Sequence, residues 1–147
     1  NPEFFTDKNV VRAIRKIANK RDVVRRDLMY VIKETDIGAP GETTAQYNLI
    51  SSTDDISGYA AALTAMEKAA AKNGFEDISV ALFGSLAGGD RALTVMASVQ
   101  APTPARLGAF FDERQSTWMS EVMSEFGGLR TPEIDFMMMC TTLSVNN

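Results

Sequence analysis

The sequence predicts an α+β fold, an antiparallel sheet with its helices on one face. Three observations predict it. A strand–helix–strand pattern runs twice, back to back, from about Thr43 to Val145. The two copies align residue by residue, with Tyr47 over Val95, Tyr59 over Leu107, Leu63 over Phe111 and Ala70 over Trp118. Capping and turn residues also fall where each element should begin or end.

The elements follow in order. Residues 6–26 read as a basic amphipathic helix, with Val10, Ile14, Ile17 and Val24 near one stripe and Arg12, Arg15, Lys16 and Lys20 opposite. Leu28 to Thr35 reads as a strand, and IGAPGE as a turn-rich connection. A strand from Thr44 to Ser51 leads into a helix capped at Ser52 or Thr53. Its apolar stripe is Ile56, Tyr59, Ala60, Leu63, Met66 and Ala70, and Asn73-Gly74 ends it. Val80–Leu86 and Ala92–Val99 are strands joined by a turn at Gly88-Gly89-Asp90. Thr103 and Pro104 open one long second helix, with Leu107, Phe111, Trp118 and Val122 on one face. Gly127-Gly128 stops it, and Glu133 to Val145 is the last strand. Residues 1–147 form one domain: 1–5 with NPEF resembling a cloning remnant, 6–36 a helix plus strand, and 43–145 a βαββαβ core. The helix plus strand of 6–36 looks like a third copy without its first strand, as in a chain cut from a tandem array.

Composition excludes several chemistries. The chain has no histidine, which removes Ser-His-Asp and Cys-His catalysis and the imidazole metal ligand. One cysteine, Cys140, excludes an internal disulfide and a thiolate zinc cluster. No metal and no cofactor is expected. No apolar run reaches the length of a membrane span. The expected compartment is aqueous: cytoplasmic, or exported if a signal peptide has been removed. Residues 1–26 carry eight of the fifteen basic residues against Glu3, Asp7 and Asp22, while the rest is acidic. Without aromatic interleaving beyond Phe4 and Phe5, this reads as packing on an acidic body rather than nucleic-acid binding.

A sheet covered on one side should be polar on the other. The last strand breaks that rule. Ile134, Phe136, Met138 and Cys140 point one way, and Met137, Met139 and Leu143 the other. Ala81, Phe83, Ala92 and Met96 likewise oppose Val80, Leu82, Leu93 and Val95. Another chain, another domain or the N-terminal helix should cover the second face. The βαββαβ order is the ferredoxin-like split topology. With its two-sided apolar last strand, it resembles the dimeric α+β barrel superfamily over residues 43–145. The resemblance implies homo-oligomer or tandem-domain packing through the sheet.

Candidate ligand-lining residues are Tyr30, Tyr47, Tyr59, Arg114 and Trp118. Arg114 and Trp118 lie one turn apart on the predicted second helix, with Trp118 as a pocket wall and Arg114 gripping an anion. A core tryptophan beside a surface arginine explains the pair more simply. The tyrosines read first as core-edge residues with hydroxyls at water. Cys140 lacks a positive neighbour that would lower its pKa and reads as an inert thiol. Met137, Met138 and Met139 alternate in direction, so they cannot converge on one ion. FGSLAGGDR lacks the Walker lysine and reads as a hairpin turn. The expected function is a small domain that associates through its sheet face and holds an apolar small ligand. Two alternatives stand beside it: a cofactor-independent monooxygenase or isomerase, and an adaptor using its basic helix for an anionic partner.

Overall fold

The computed structural model describes residues 8–9, 11–12, 16, 28–35, 39–87 and 94–142. Its elements are β1 (Leu28–Lys33), β2 (Thr43–Ser52), α1 (Ile56–Lys72), β3 (Ser79–Ala87), β4 (Thr94–Ala101), α2 (Pro104–Asp112), α3 (Thr117–Ser124) and β5 (Thr131–Thr141). The five strands form one open antiparallel sheet in the order β1-β3-β4-β2-β5. Lys8, Asn9, Val11, Arg12 and Lys16 are helical, with Lys8, Arg12 and Lys16 exposed. The rest of the expected basic helix, including Arg15 and Lys20, lies outside the described residues. So do the turn at Gly88-Gly89-Asp90 and Leu143.

Each helix boundary has a local cause. Asp55, not Ser52 or Thr53, caps α1, its Oδ1 accepting from the Gly58 amide at 2.8 Å. Thr53 supports it by accepting from the Asp55 amide at 3.1 Å. At the other end Phe75 donates to the Ala70 carbonyl and Gly74 to that of Ala71. This double closure needs a left-handed residue, and Gly74 supplies it at φ 85°. Buried Phe75 then packs in the same core as Ala70.

The expected single long second helix is two helices. Thr103 caps α2 and Pro104 opens it, as the sequence suggests. The chain then tightens into a 3-10 turn at Glu113–Gln115 and goes extended at Ser116 (ψ 153°). The Ser116 hydroxyl accepts from the Met119 amide at 3.3 Å and starts α3. A serine that can cap a new helix competes with helix continuation, and here it wins.

The core lies between α1–α3 and one face of the sheet. Val80, Leu82, Val95, Ala97, Val99 and Ala45 face Tyr59, Leu63, Leu107, Phe110, Met119 and Val122. The second face is closed at its middle. Asn48, Ser98, Ala81 and Ile50 are each no more than 3% exposed. On β2 and β4 this face is more polar than the apolar reading of the hairpin strands suggested, since Asn48, Ser98 and Gln100 are all buried there.

The two sheet edges differ. β1 is six residues long, with register breaks at Leu28/Met29 and Val31/Lys33. It stops short of Val80, and side chains finish the edge. The Lys33 ammonium donates to the Val80 carbonyl at 2.5 Å and to Glu67 Oε2 at 2.9 Å. Glu67 Oε1 accepts from the Val80 amide at 2.9 Å. β5 is eleven residues long and, among the described residues, pairs only with β2.

Candidate functional site

Two features are open to a partner or ligand. The first is β5. Its register with β2 sets Met137 opposite Tyr47 and Met139 opposite Ala45, on the helix side. Ile134, Phe136, Met138 and Cys140 pair with Ile50, Asn48, Gln46 and Thr44, on the second face. The alternation read from the sequence therefore holds across the described part of the strand. Every residue of β5 except Cys140 is exposed. The large apolar ones range from 37% for Met138 to 62% for Met137.

The second feature is an apolar cavity of about 210 Å³ between sheet and helices. β2 contributes Tyr47 and Leu49 to its wall, and β4 contributes Ala97 and Val99. From the helical layer come Leu63, Met66, Phe110, Phe111, Met119 and Met123, and Phe126 closes one side. The charged groups in the lining are Arg114 and Arg130. An outer hollow continues from it, sharing Tyr47, Leu49 and Arg130 as a common wall and adding Glu133 and Asp135.

The rim has defined geometry. Arg130 donates from Nη1 to the Tyr59 hydroxyl at 2.9 Å. Its guanidinium lies 4.6 Å from the Phe126 ring centroid and 5.4 Å from that of Tyr59. Stacking and a hydrogen bond thus hold a planar cation in one place. The Tyr47 hydroxyl donates to Asp135 Oδ2 at 2.9 Å. Burial and that bond push its pKa up to about 12. Tyr47 also meets Phe111 edge-on, with centroids 5.0 Å apart.

The structure brings three of the five sequence candidates to this place. Tyr47 and Arg114 line the cavity, and Tyr59, fully buried, supports Arg130 from below. Trp118 is not a cavity wall. Its ring lies 6.3 Å from those of Phe75 and Phe110, and its indole N–H donates to Glu113 Oε2 at 3.0 Å. The break at Ser116 separates it from Arg114, so the two do not share a helix. Tyr30 sits on β1 against Gly84, where a Cβ would come within 2.5 Å of its ring. The strand order keeps β1 and β5 on opposite edges, so Tyr30 belongs to no site with Tyr47. Arg130 was not singled out from the sequence. Its only local signal is a lone arginine between Gly128 and the last strand.

The cavity is an apolar chamber with a charged rim. Its ionisable lining is a tyrosine and two arginines. A larger hollow of about 490 Å³ lies elsewhere, lined by Glu42, Glu76 and Asp77 among mostly polar residues. There Arg106 holds Asp77 in a salt bridge, which lowers the carboxyl's pKa. Among the described residues no group of three or more acids or cysteines is placed to hold a metal ion. No described helix is long and apolar enough to cross a membrane. No protein-family model matches the chain, and no curated protein matches its sequence.

Proposed function

We propose that this protein is an association domain that pairs with a second copy of itself along β5. The observation that carries the reading is the strand itself: eleven residues at an open edge, apolar on both sides and exposed on both. An edge strand offers a row of unpaired backbone donors and acceptors, and proteins normally blunt it. The five large apolar side chains, three on one face of the strand and two on the other, leave on the order of 500 Å² of apolar surface along this edge, an exposure of the size that marks interaction sites. Two copies bring on the order of 1,000 Å² together, the lower bound for a specific interface.

Charge selects the antiparallel arrangement. Glu133 and Asp135 sit at one end of β5, and Met137–Cys140 at the other. Antiparallel pairing about Met137 lays each acidic end against the partner's apolar end. Parallel pairing in register would oppose like charges, which is destabilising. With β1 set aside, the order β3-β4-β2-β5 supports a ferredoxin-like unit carrying one added strand. The closed middle of the second face favours pairing along the edge over the face-to-face packing of the α+β barrel superfamily.

Sedimentation equilibrium tests the reading. The wild-type chain should form a dimer at micromolar concentration. The double substitution Met137→Lys and Met139→Lys, at the two most exposed of these positions, should give a monomer with unchanged far-UV circular dichroism. A wild-type monomer at about 100 μM, or a dimeric double variant, would overturn the proposal.

A further inference from the structure

Two arginines line one small apolar cavity, and neither forms an ion pair among the described residues. Arg130 makes its hydrogen bond to a neutral hydroxyl, and its stacking partners are Tyr59 and Phe126. Arg114 is exposed and makes no hydrogen bond or ion pair among the described residues. In a chain of net charge −4, Lys33 and Arg106 meet carboxylates, while Lys68 and Lys72 stand exposed on α1, away from any apolar cavity. The contrast is local and chemical. At this site two guanidinium groups without an ion pair among the described residues border an apolar wall.

We propose that this cavity binds a medium-chain monocarboxylic acid, its alkyl body in the apolar interior and its carboxylate on Arg114 and Arg130. Volume sets the size. At about 210 Å³ the cavity is smaller than the pockets that take drug-sized ligands, so its occupant has on the order of ten non-hydrogen atoms. A two-chain lipid does not fit. Charge sets the head group. A planar carboxylate suits guanidinium donors, and the low polarity of the wall strengthens the contact. Glu133 and Asp135 line the outer hollow just beyond, and they select against a second negative charge on the ligand. The cavity therefore prefers octanoate to octyl phosphate. Octanol is a control that tests the alkyl body alone.

The methionines make the test specific. Met66, Met119 and Met123 line the cavity, while Met29 and Met96 lie elsewhere on the sheet and Met137, Met138 and Met139 lie on β5. Methyl-13C methionine spectra of the full chain, titrated with octanoate, should shift Met66, Met119 and Met123 saturably and leave Met29 and Met96 in place. Arg114→Gln should weaken octanoate roughly tenfold, the value of a partly solvated charged hydrogen bond, and leave octanol unchanged. Arg114 is exposed and makes no hydrogen bond or ion pair among the described residues, so that variant should stay folded, which far-UV circular dichroism checks. Shifts confined to Met137–Met139 would mean octanoate coats the exposed strand, and would overturn the proposal. So would equal binding of octanoate and octanol, or an Arg114→Gln variant that binds octanoate as tightly as wild type. Self-association is read separately, from changes at Met137–Met139 on dilution without ligand.

Discussion

Removing the Glu67 carboxylate should cost this protein about a third of a typical domain's stability. Glu67 lies on α1 and reaches across to β3, beyond the last residue of β1 that pairs with it. The Val80 amide would pair with β1 if β1 ran further, but β1 ends at Lys33, whose partner in register is Leu82. One Glu67 oxygen takes that amide, and the other takes the Lys33 ammonium. Val80 is fully buried and the Lys33 side chain is only 13% exposed. In Glu67→Ala the Val80 N–H loses its partner away from water, at about 1–3 kcal/mol. Lys33 also loses its counter-ion in a site with little solvent, which adds about 1 kcal/mol after allowing for screening. The total is about 2–4 kcal/mol, or a fall in Tm of about 6–12 °C for a chain of this size. Glu67→Gln keeps a carbonyl oxygen for the amide and should cost about 1 kcal/mol. Lys68→Ala, one residue on and exposed, should stay within about 0.5 kcal/mol of wild type. Urea and thermal unfolding of the three variants measure this. Were Glu67→Ala to match wild type within 0.5 kcal/mol, or Glu67→Gln to be as damaging as Glu67→Ala, the strand-finishing role would be wrong.

Two further outcomes are expected. Tyr47 carries a pKa of about 12 in the fold against about 10 when unfolded, so its contribution to stability is complete below pH 10 and lost as pH rises through 12. Ultraviolet phenolate titration should show one step near 12 that moves down in Asp135→Asn, and Tyr47→Phe should flatten the loss of stability between pH 10 and 12. A titration with no step near 12 would refute this. Ser116→Ala removes the cap that starts α3 and should cost about 1 kcal/mol in chemical denaturation. An unchanged midpoint would mean that packing of Met119 and Val122 alone sets the helix start.

The fold was largely legible because its signals are local. Alternation on β5 and helical spacing on α1 are read from neighbours in the chain, and both strands and helix lie where those patterns put them. The break at Ser116 was missed because Phe111, Trp118 and Val122 keep near-helical spacing across it. The cap that decides the matter depends on one serine hydroxyl. Arg130 was missed for a different reason. Its role comes from Tyr59, 71 positions earlier, and no local pattern records that meeting. Tyr30 was grouped with Tyr47 by residue type, and only the strand order, a global property, sets them at opposite edges. The polar character of the second face was visible in Gln46, Asn48 and Ser98. It carried less weight than the apolar last strand beside it.

The contrast between the two sheet edges sets a valency. β1 is short, twice interrupted in register and terminated by a lysine locked onto Glu67, so it offers no template for another strand. β5 offers a long one. A subunit with a single adhesive edge saturates once that edge meets its copy, because the outer rims of the joined sheet are then both β1. If copies pair along β5 as proposed, the assembly should close at two and not propagate into fibres. A change that straightened or lengthened β1 would give each subunit a second adhesive edge and turn a self-limiting pair into an open polymer.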